Sequence, residues 1–128
     1  MKFFKNKNPE KKGDSRLKEF RFNDKYSVIF NSHGLVPVVI QHSVTGEVLK
    51  LGYLDKWALE MSFGAKKVYL FRRSRQRLQE MGEDEDQEYK ITEILLSETK
   101  RDLLFKVLPT KSNKLHKEYT IKIHLNSE

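Results

Sequence analysis

The stretch FRRSRQRLQEMGEDEDQEY, residues 71–89, concentrates the residue types that could do chemistry. Arg72, Arg73, Arg75 and Arg77 follow one another closely, with Ser74 and Gln76 between them. A guanidinium offers a rigid fork of donors that matches phosphate oxygens, and a serine hydroxyl adds another donor. Glu83, Asp84, Glu85, Asp86 and Glu88 come next. Such a cluster repels an anionic phosphate and can bind a hard cation through its oxygens. The ordered ligand pattern of a calcium loop is missing, which favours a solvated loop or pairing with the arginines. Together with Glu93 and His116 these acids could supply an acid–base pair, although no defined spacing marks one.

Elements must position this run, and the composition bounds them. The chain has 128 residues, enough for one domain with one core. Apolar residues make up 38%, too many for a mostly disordered chain. Lys and Arg number 25 against 18 acids, a net charge of +7 that favours phosphate-bearing or acidic partners. Cysteine is absent, so disulfides and thiolate metal sites are excluded. No apolar run has the length of a membrane span and no secretory signal is visible, so no membrane partner is expected and the expected compartment is the cytoplasm.

Residues 1–22 read as a basic, partly disordered N-terminal tail, and residues 23–128 as the domain. Phe3, Phe4, Phe20 and Phe22 suggest that parts of the tail dock on the body. Residues 25–30 alternate as a strand. The nearly continuous apolar run 34–42 predicts a strand buried on both faces, with Pro37 marking an edge or bulge. Residues 45–54 follow through a Thr45-Gly46 hairpin turn. Asp55 is a fitting N-cap for a helix over 55–67, with Ala58, Leu59, Met61, Ser62, Phe63 and Ala65 on its apolar stripe and Trp57 in the core or at its rim. Strands are predicted over 67–72, 89–98, 102–109 and 117–125, the last with Tyr119, Ile121, Ile123 and Leu125 on one face. The fold class is α+β, mainly antiparallel strands with one clear helix.

Three stretches carry a resemblance: GLVPVVIQHSVTGEVLKLGYLDKWALEM, SRQRLQEMGE and ITEILLSETKRDLLFKV. From Gly34 to about Val107 they run in the same order as the motifs of phosphoribosyl-AMP cyclohydrolase, the histidine-biosynthesis enzyme that opens the adenine ring with water. The resemblance implies that fold and a homodimer. It also implies that Arg73, Ser74, Arg75 and Gln76, which match the family's serine-arginine loop, hold a phosphorylated ligand; Arg72 stands where the family has a serine.

The family's metal-binding motifs are broken. Asp84, Glu85, Asp86 and Gln87 stand where the family has T-S-G-H. Ser97, Thr99 and Arg101 stand where three aspartates hold magnesium, and Glu98 and approximately Leu115 stand where cysteines hold zinc across the dimer. His116 corresponds to a family histidine beside such a cysteine, though a lone histidine there is more often a surface residue. A zinc-bound water supplies the nucleophile that ring opening needs. The expectation is therefore a non-catalytic relative, with no catalytic residue, metal or cofactor, that binds a phosphorylated small molecule or an acidic protein. One alternative is nucleic-acid binding through the basic tail and the Arg72–Arg77 run. Another is an active hydrolase with rebuilt chemistry.

Overall fold

The computed structural model describes residues 18–22 and 25–126. Most of the sequence expected as the basic tail, residues 1–17, lies outside the described residues. The chain-order elements are β1 (Lys18–Phe22), β2 (Tyr26–Phe30), β3 (Val36–His42), β4 (Val48–Leu54), α1 (Lys56–Ala65), β5 (Tyr69–Arg72), β6 (Arg77–Glu80), β7 (Tyr89–Leu96) and β8 (Leu103–Pro109). Short 3-10 turns occupy Glu83–Glu85 and Ser112–Lys114.

Four strands form the main sheet in the order β4-β3-β8-β7. The β3–β4 and β7–β8 pairs are antiparallel hairpins, as the sequence predicts. Gly46 (φ +79°) closes the first hairpin, its N–H donating to His42 O at 3.0 Å. The central pair, β3 with β8, is parallel, so the chain returns to the middle of the sheet after α1 and β5–β7. Two antiparallel ribbons, β1–β2 and β5–β6, complete the α+β fold.

One sheet face is the core. Val36, Val38 and Ile40 of β3 are fully buried, as are Phe105 and Val107 of β8, and they pack with Val28, Leu54, Leu59, Leu70 and Tyr89. The alternate positions of β3, including Pro37 and Val39, are only half-buried. Pro37 thus lies in an interior strand rather than at an edge or bulge. Its missing N–H is tolerated because pairing with β8 starts one residue later, at Val38. The bulge falls instead between Ile40 and Gln41. On the outer face Leu51, Val39, Leu104 and Leu95 stand opposite one another across all four strands. The two ends of that row, Leu51 and Leu95, are exposed.

The helix starts as predicted. Asp55 is extended (φ −90°, ψ −177°), and its Oδ1 accepts from Ala58 N at 2.8 Å. That bond satisfies a first-turn amide with no partner inside the helix. Asp55→Ala is expected to cost about 1 kcal/mol in urea unfolding, the usual loss for an N-cap. Ala58, Leu59 and Ser62 are buried, with Ser62 Oγ bridging the N–H (2.9 Å) and carbonyl (3.1 Å) of Tyr69. The apolar stripe is narrower than the sequence predicts: Met61, Phe63 and Ala65 are exposed. Trp57 is 61% exposed, with the Lys56 ammonium 5.2 Å from its ring centre, so it is neither core nor rim.

Two other expectations change. Lys18–Phe22, within the expected tail, pairs with β2 residue by residue. Residues 117–125 form no strand, and Ile121, Ile123 and Leu125 are at least 82% exposed. Their alternation is strand-like, but no neighbouring edge pairs with them among the described residues. No described helix is long and apolar enough to cross a membrane.

Candidate functional site

The cationic run folds as a hairpin tip. β5 and β6 pair with Arg72 opposite Arg77, and the turn between them closes through Arg75 N to Arg72 O at 3.1 Å and Gln76 N to Arg73 O at 3.3 Å. Gln76 takes a left-handed conformation (φ +50°), and its Nε2 also donates to Arg73 O at 2.9 Å. Its amide thus serves the turn. Ser74 is exposed at the tip. The Arg73 guanidinium lies 5.5 Å from the ring centre of Tyr53 on β4. Arg75 turns back toward the ribbon's inner face, its Nη1 donating to Gln79 Oε1 at 3.4 Å.

Gln79 is the hub that the sequence did not reveal. It is 5% exposed and lies opposite Leu70, on the inner face of the ribbon. Its carbonyl oxygen also accepts from Arg72 Nη1 at 3.1 Å, and its Nε2 donates to Asp84 Oδ2 at 3.1 Å. One buried amide thereby joins the cationic half of the segment to its anionic half. Two more of the acids are also engaged. Glu83 accepts from Glu80 N at 3.1 Å and lies 4.0 Å from Arg77, while Asp86 pairs with Lys111 at 2.5 Å. Lys111 holds the Asp86 carboxyl below the usual carboxylate range.

A cleft of about 310 Å³ opens beside this hub, lined by Lys50, Arg72, Gln79, Asp84, His116 and Glu118 among others. Lys50 stands opposite buried Ile40 and so shares the core-side face of β4 with buried Gly52 and Leu54. Arg72 shares its face of β5 with buried Leu70. Two adjacent elements therefore each turn one cation inward. His116 belongs to the segment that follows β8, which is anchored where His116 N donates to Tyr89 Oη at 2.7 Å. Burial pushes the Tyr89 phenol up, and the bond from His116 partly opposes that.

His116 Nε2 lies 3.1 Å from Glu118 Oε2, and Lys50 Nζ donates to the same oxygen at 2.6 Å. Burial raises the Glu118 carboxyl, but Lys50 and His116 together outweigh it and leave the group below its ordinary value. A lowered carboxylate favours the folded contact above the ordinary carboxylate range, and that contribution is lost as pH falls through the lowered value. His116 is thus a cleft residue paired with a carboxylate. Glu93 lies elsewhere, paired with Lys106 at 3.8 Å on the outer sheet face.

The metals implied by the family motifs do not fit the residues present. Gln87 is 2% exposed, and all its polar capacity is spent on the backbone and Thr110. Its Nε2 donates to Lys111 O at 2.5 Å and Lys114 O at 3.1 Å, and its Oε1 accepts from Lys111 N at 2.9 Å and Glu88 N at 3.1 Å. Ser97 and Thr99 bond each other at 3.2 Å, and Arg101 is exposed beside them. Gln87 and Ser97 flank opposite ends of β7, about 25 Å apart at the usual rise per strand residue, so within one chain they cannot share an ion. Leu115 packs on the core. Among the described residues no group of three or more His, Asp or Glu side chains could hold a metal ion.

No family model matches the chain. Among curated proteins it resembles the histidine biosynthesis bifunctional protein HisIE of Thermus thermophilus, at 40% identity over 86 residues, 67% of this chain and 40% of that protein. The protein of the same name from Shewanella oneidensis is 43% identical over 76 residues, 59% of this chain and 36% of the relative. That of Escherichia coli K12 is 50% identical over 50 residues, 39% of this chain and 25% of the relative. The chain thus spans well under half the length of these curated relatives. Together with the motifs its sequence displays, these relatives show that the chain carries a phosphoribosyl-AMP cyclohydrolase-like domain.

Proposed function

We propose that this domain is a non-catalytic relative of phosphoribosyl-AMP cyclohydrolase that binds a phosphorylated small molecule at the Arg73–Gln76 hairpin tip and the cleft beneath it. The observation that carries this reading is the convergence of two guanidiniums, from Arg72 and Arg75, on one buried carbonyl at the cleft, with Lys50 facing the same space. Gln79 orients both forks without neutralising them, so they keep donors for phosphate oxygens. Arg73, held over Tyr53, and Ser74 at the tip add donors at the outer rim.

The loss of chemistry is supported by what replaced the metal-binding positions other than that of Glu98. A buried structural amide, two mutually bonded hydroxyls, a cation and an apolar side chain supply no site for a metal-activated water. The homodimer that the family resemblance implies is supported by the apolar row across the outer sheet face, whose exposed ends lack a covering layer among the described residues. Nucleic-acid binding is the weaker reading, because Asp84, bonded to Gln79, and Glu83, 4.0 Å from Arg77, stand beside the cationic run and would oppose a polyanion.

The test is calorimetric titration of the protein with AMP and with ribose 5-phosphate. Saturable binding is expected, and Arg75→Ala should weaken it about 10- to 100-fold, the loss expected for a charge-assisted phosphate contact. Absence of binding to either compound, or turnover of phosphoribosyl-AMP by the metal-supplemented protein, would overturn the proposal.

A further inference from the structure

Glu118 sits where a ligand's anion would sit. Its carboxylate accepts from the inward-facing Lys50 at 2.6 Å and lies 3.1 Å from His116 Nε2, inside the cleft that holds Arg72. Lys50 stands out on that face of β4, where the next two positions, Gly52 and Leu54, are buried. A lysine on that face requires a counter-ion, and within this chain Glu118 provides it.

The segment bearing Glu118 is held by few contacts. Upstream, His116 N is tied to Tyr89 Oη. Lys117 reaches Glu47 at 3.7 Å, a surface pair. Beyond Glu118, residues 119–126 are exposed and join no described sheet. A second, more open hollow of about 550 Å³ is lined by Glu85, Lys114, Leu115, His116 and Lys117. The strap from Lys117 onward thus borders open space, while Leu115 upstream stays packed on the core.

From this geometry we infer that Lys50 is an anion-binding residue of the cleft and that Glu118 is a built-in competitor, which a phosphate monoester displaces together with the strap around it. The inference rests on the phosphate-binding reading of the cleft and adds to it a residue that the arginine motif does not contain and a gate made by the chain itself. Ligand entry exchanges one anion for another at Lys50, so the site never holds an uncompensated cation.

A zero-length carbodiimide cross-link tests the contact directly, because it joins a carboxylate to an amine only at salt-bridge range. Lys50–Glu118 and Lys67–Glu88 (3.2 Å) both qualify, and the second lies outside the cleft lining. Inorganic phosphate or AMP should suppress the first cross-link and spare the second, while sodium chloride of matched ionic strength spares both. Glu118→Gln should bind inorganic phosphate and AMP about three- to fivefold more tightly, as removal of one partly exposed competing charge predicts. Lys50→Gln should weaken both. If AMP binds and depends on Arg75, yet the Lys50–Glu118 cross-link persists and Glu118→Gln leaves affinity unchanged, the competitor is refuted and the arginine site stands. If neither compound binds the wild type or Glu118→Gln, the underlying phosphate reading falls and the competitor with it.

Discussion

Gly82→Ala is expected to destabilise the domain by about 3 kcal/mol, far more than the same change at Gly34. Both glycines have positive φ, +90° at Gly82 and +75° at Gly34. A left-handed conformation costs an L residue roughly 1–2 kcal/mol, so backbone strain alone treats them alike. Their surroundings separate them. A Cβ at Gly34 meets nothing within 4 Å, whereas at Gly82 it falls 2.6 Å from the backbone oxygen of Gln87 and 3.0 Å from the Tyr89 ring. Neither neighbour yields cheaply. Tyr89 is 1% exposed, and Gln87 N is bonded back to Gly82 O at 2.9 Å. The loop must open or the ring must move, and either adds an overpacking cost of about 1–3 kcal/mol. Urea unfolding of the two variants provides the comparison, with about 1 kcal/mol expected for Gly34→Ala. Equal losses at the two positions would contradict the close approach at Gly82.

The framework was legible because each element carries a local signal that its tertiary setting does not contradict. Asp55 caps the helix with the bond its side chain is suited to make, and Thr45-Gly46 turns the β3–β4 hairpin. The parallel pairing of β3 with β8 was not legible, because strand partners far apart in sequence leave no periodicity to read. The alternation of residues 117–125 predicted a strand, but a strand also needs an edge, and pattern alone does not supply one. The exposed Trp57, Met61 and Phe63 show the same limit, since residue type does not reveal which helix face meets the sheet.

The candidate site was legible in its motif and hidden in its supports. Arg75 sits in the quoted run, but Gln79, which orients it, looks like any polar residue on a short strand. Lys50 lies in VLKLGYL, where leucines occupy both parities, so the inner face could not be assigned from the pattern. The pairing of the cationic and anionic halves required the fold, because it runs through a buried amide rather than through direct ion pairs alone. Among the described residues, direct pairing between these arginines and these acids is that of Glu83 with Arg77, at the outer limit of an ion pair. The charge reversal in this segment therefore reads as one connected network at the mouth of a cleft.

Gln87→Leu is expected to cost about 3 kcal/mol and to loosen the segment that carries His116 and Glu118. Leucine nearly matches the volume of glutamine, so packing changes little and the measurement isolates polar loss. The loss is large because the side chain is 2% exposed and satisfies partners on two separate segments. The carbonyls of Lys111 and Lys114 lose their donor, and the N–H groups of Lys111 and Glu88 lose their acceptor. Each unsatisfied buried group costs about 1–3 kcal/mol, reduced here where Thr110 or solvent can substitute. Gln41→Leu is the matched control. That side chain makes one bond, from Nε2 to Gly46 O at 3.0 Å, at a half-buried position, and its loss should stay below about 1 kcal/mol. Amide exchange adds a structural readout, since His116 N, bonded to Tyr89 Oη, should lose protection in Gln87→Leu while Leu59 N, inside the helix, keeps it apart from the global change. If Gln87→Leu unfolds within 0.5 kcal/mol of wild type, the side chain that stands where the family has its loop histidine is not the brace that ties residues 110–118 to the body.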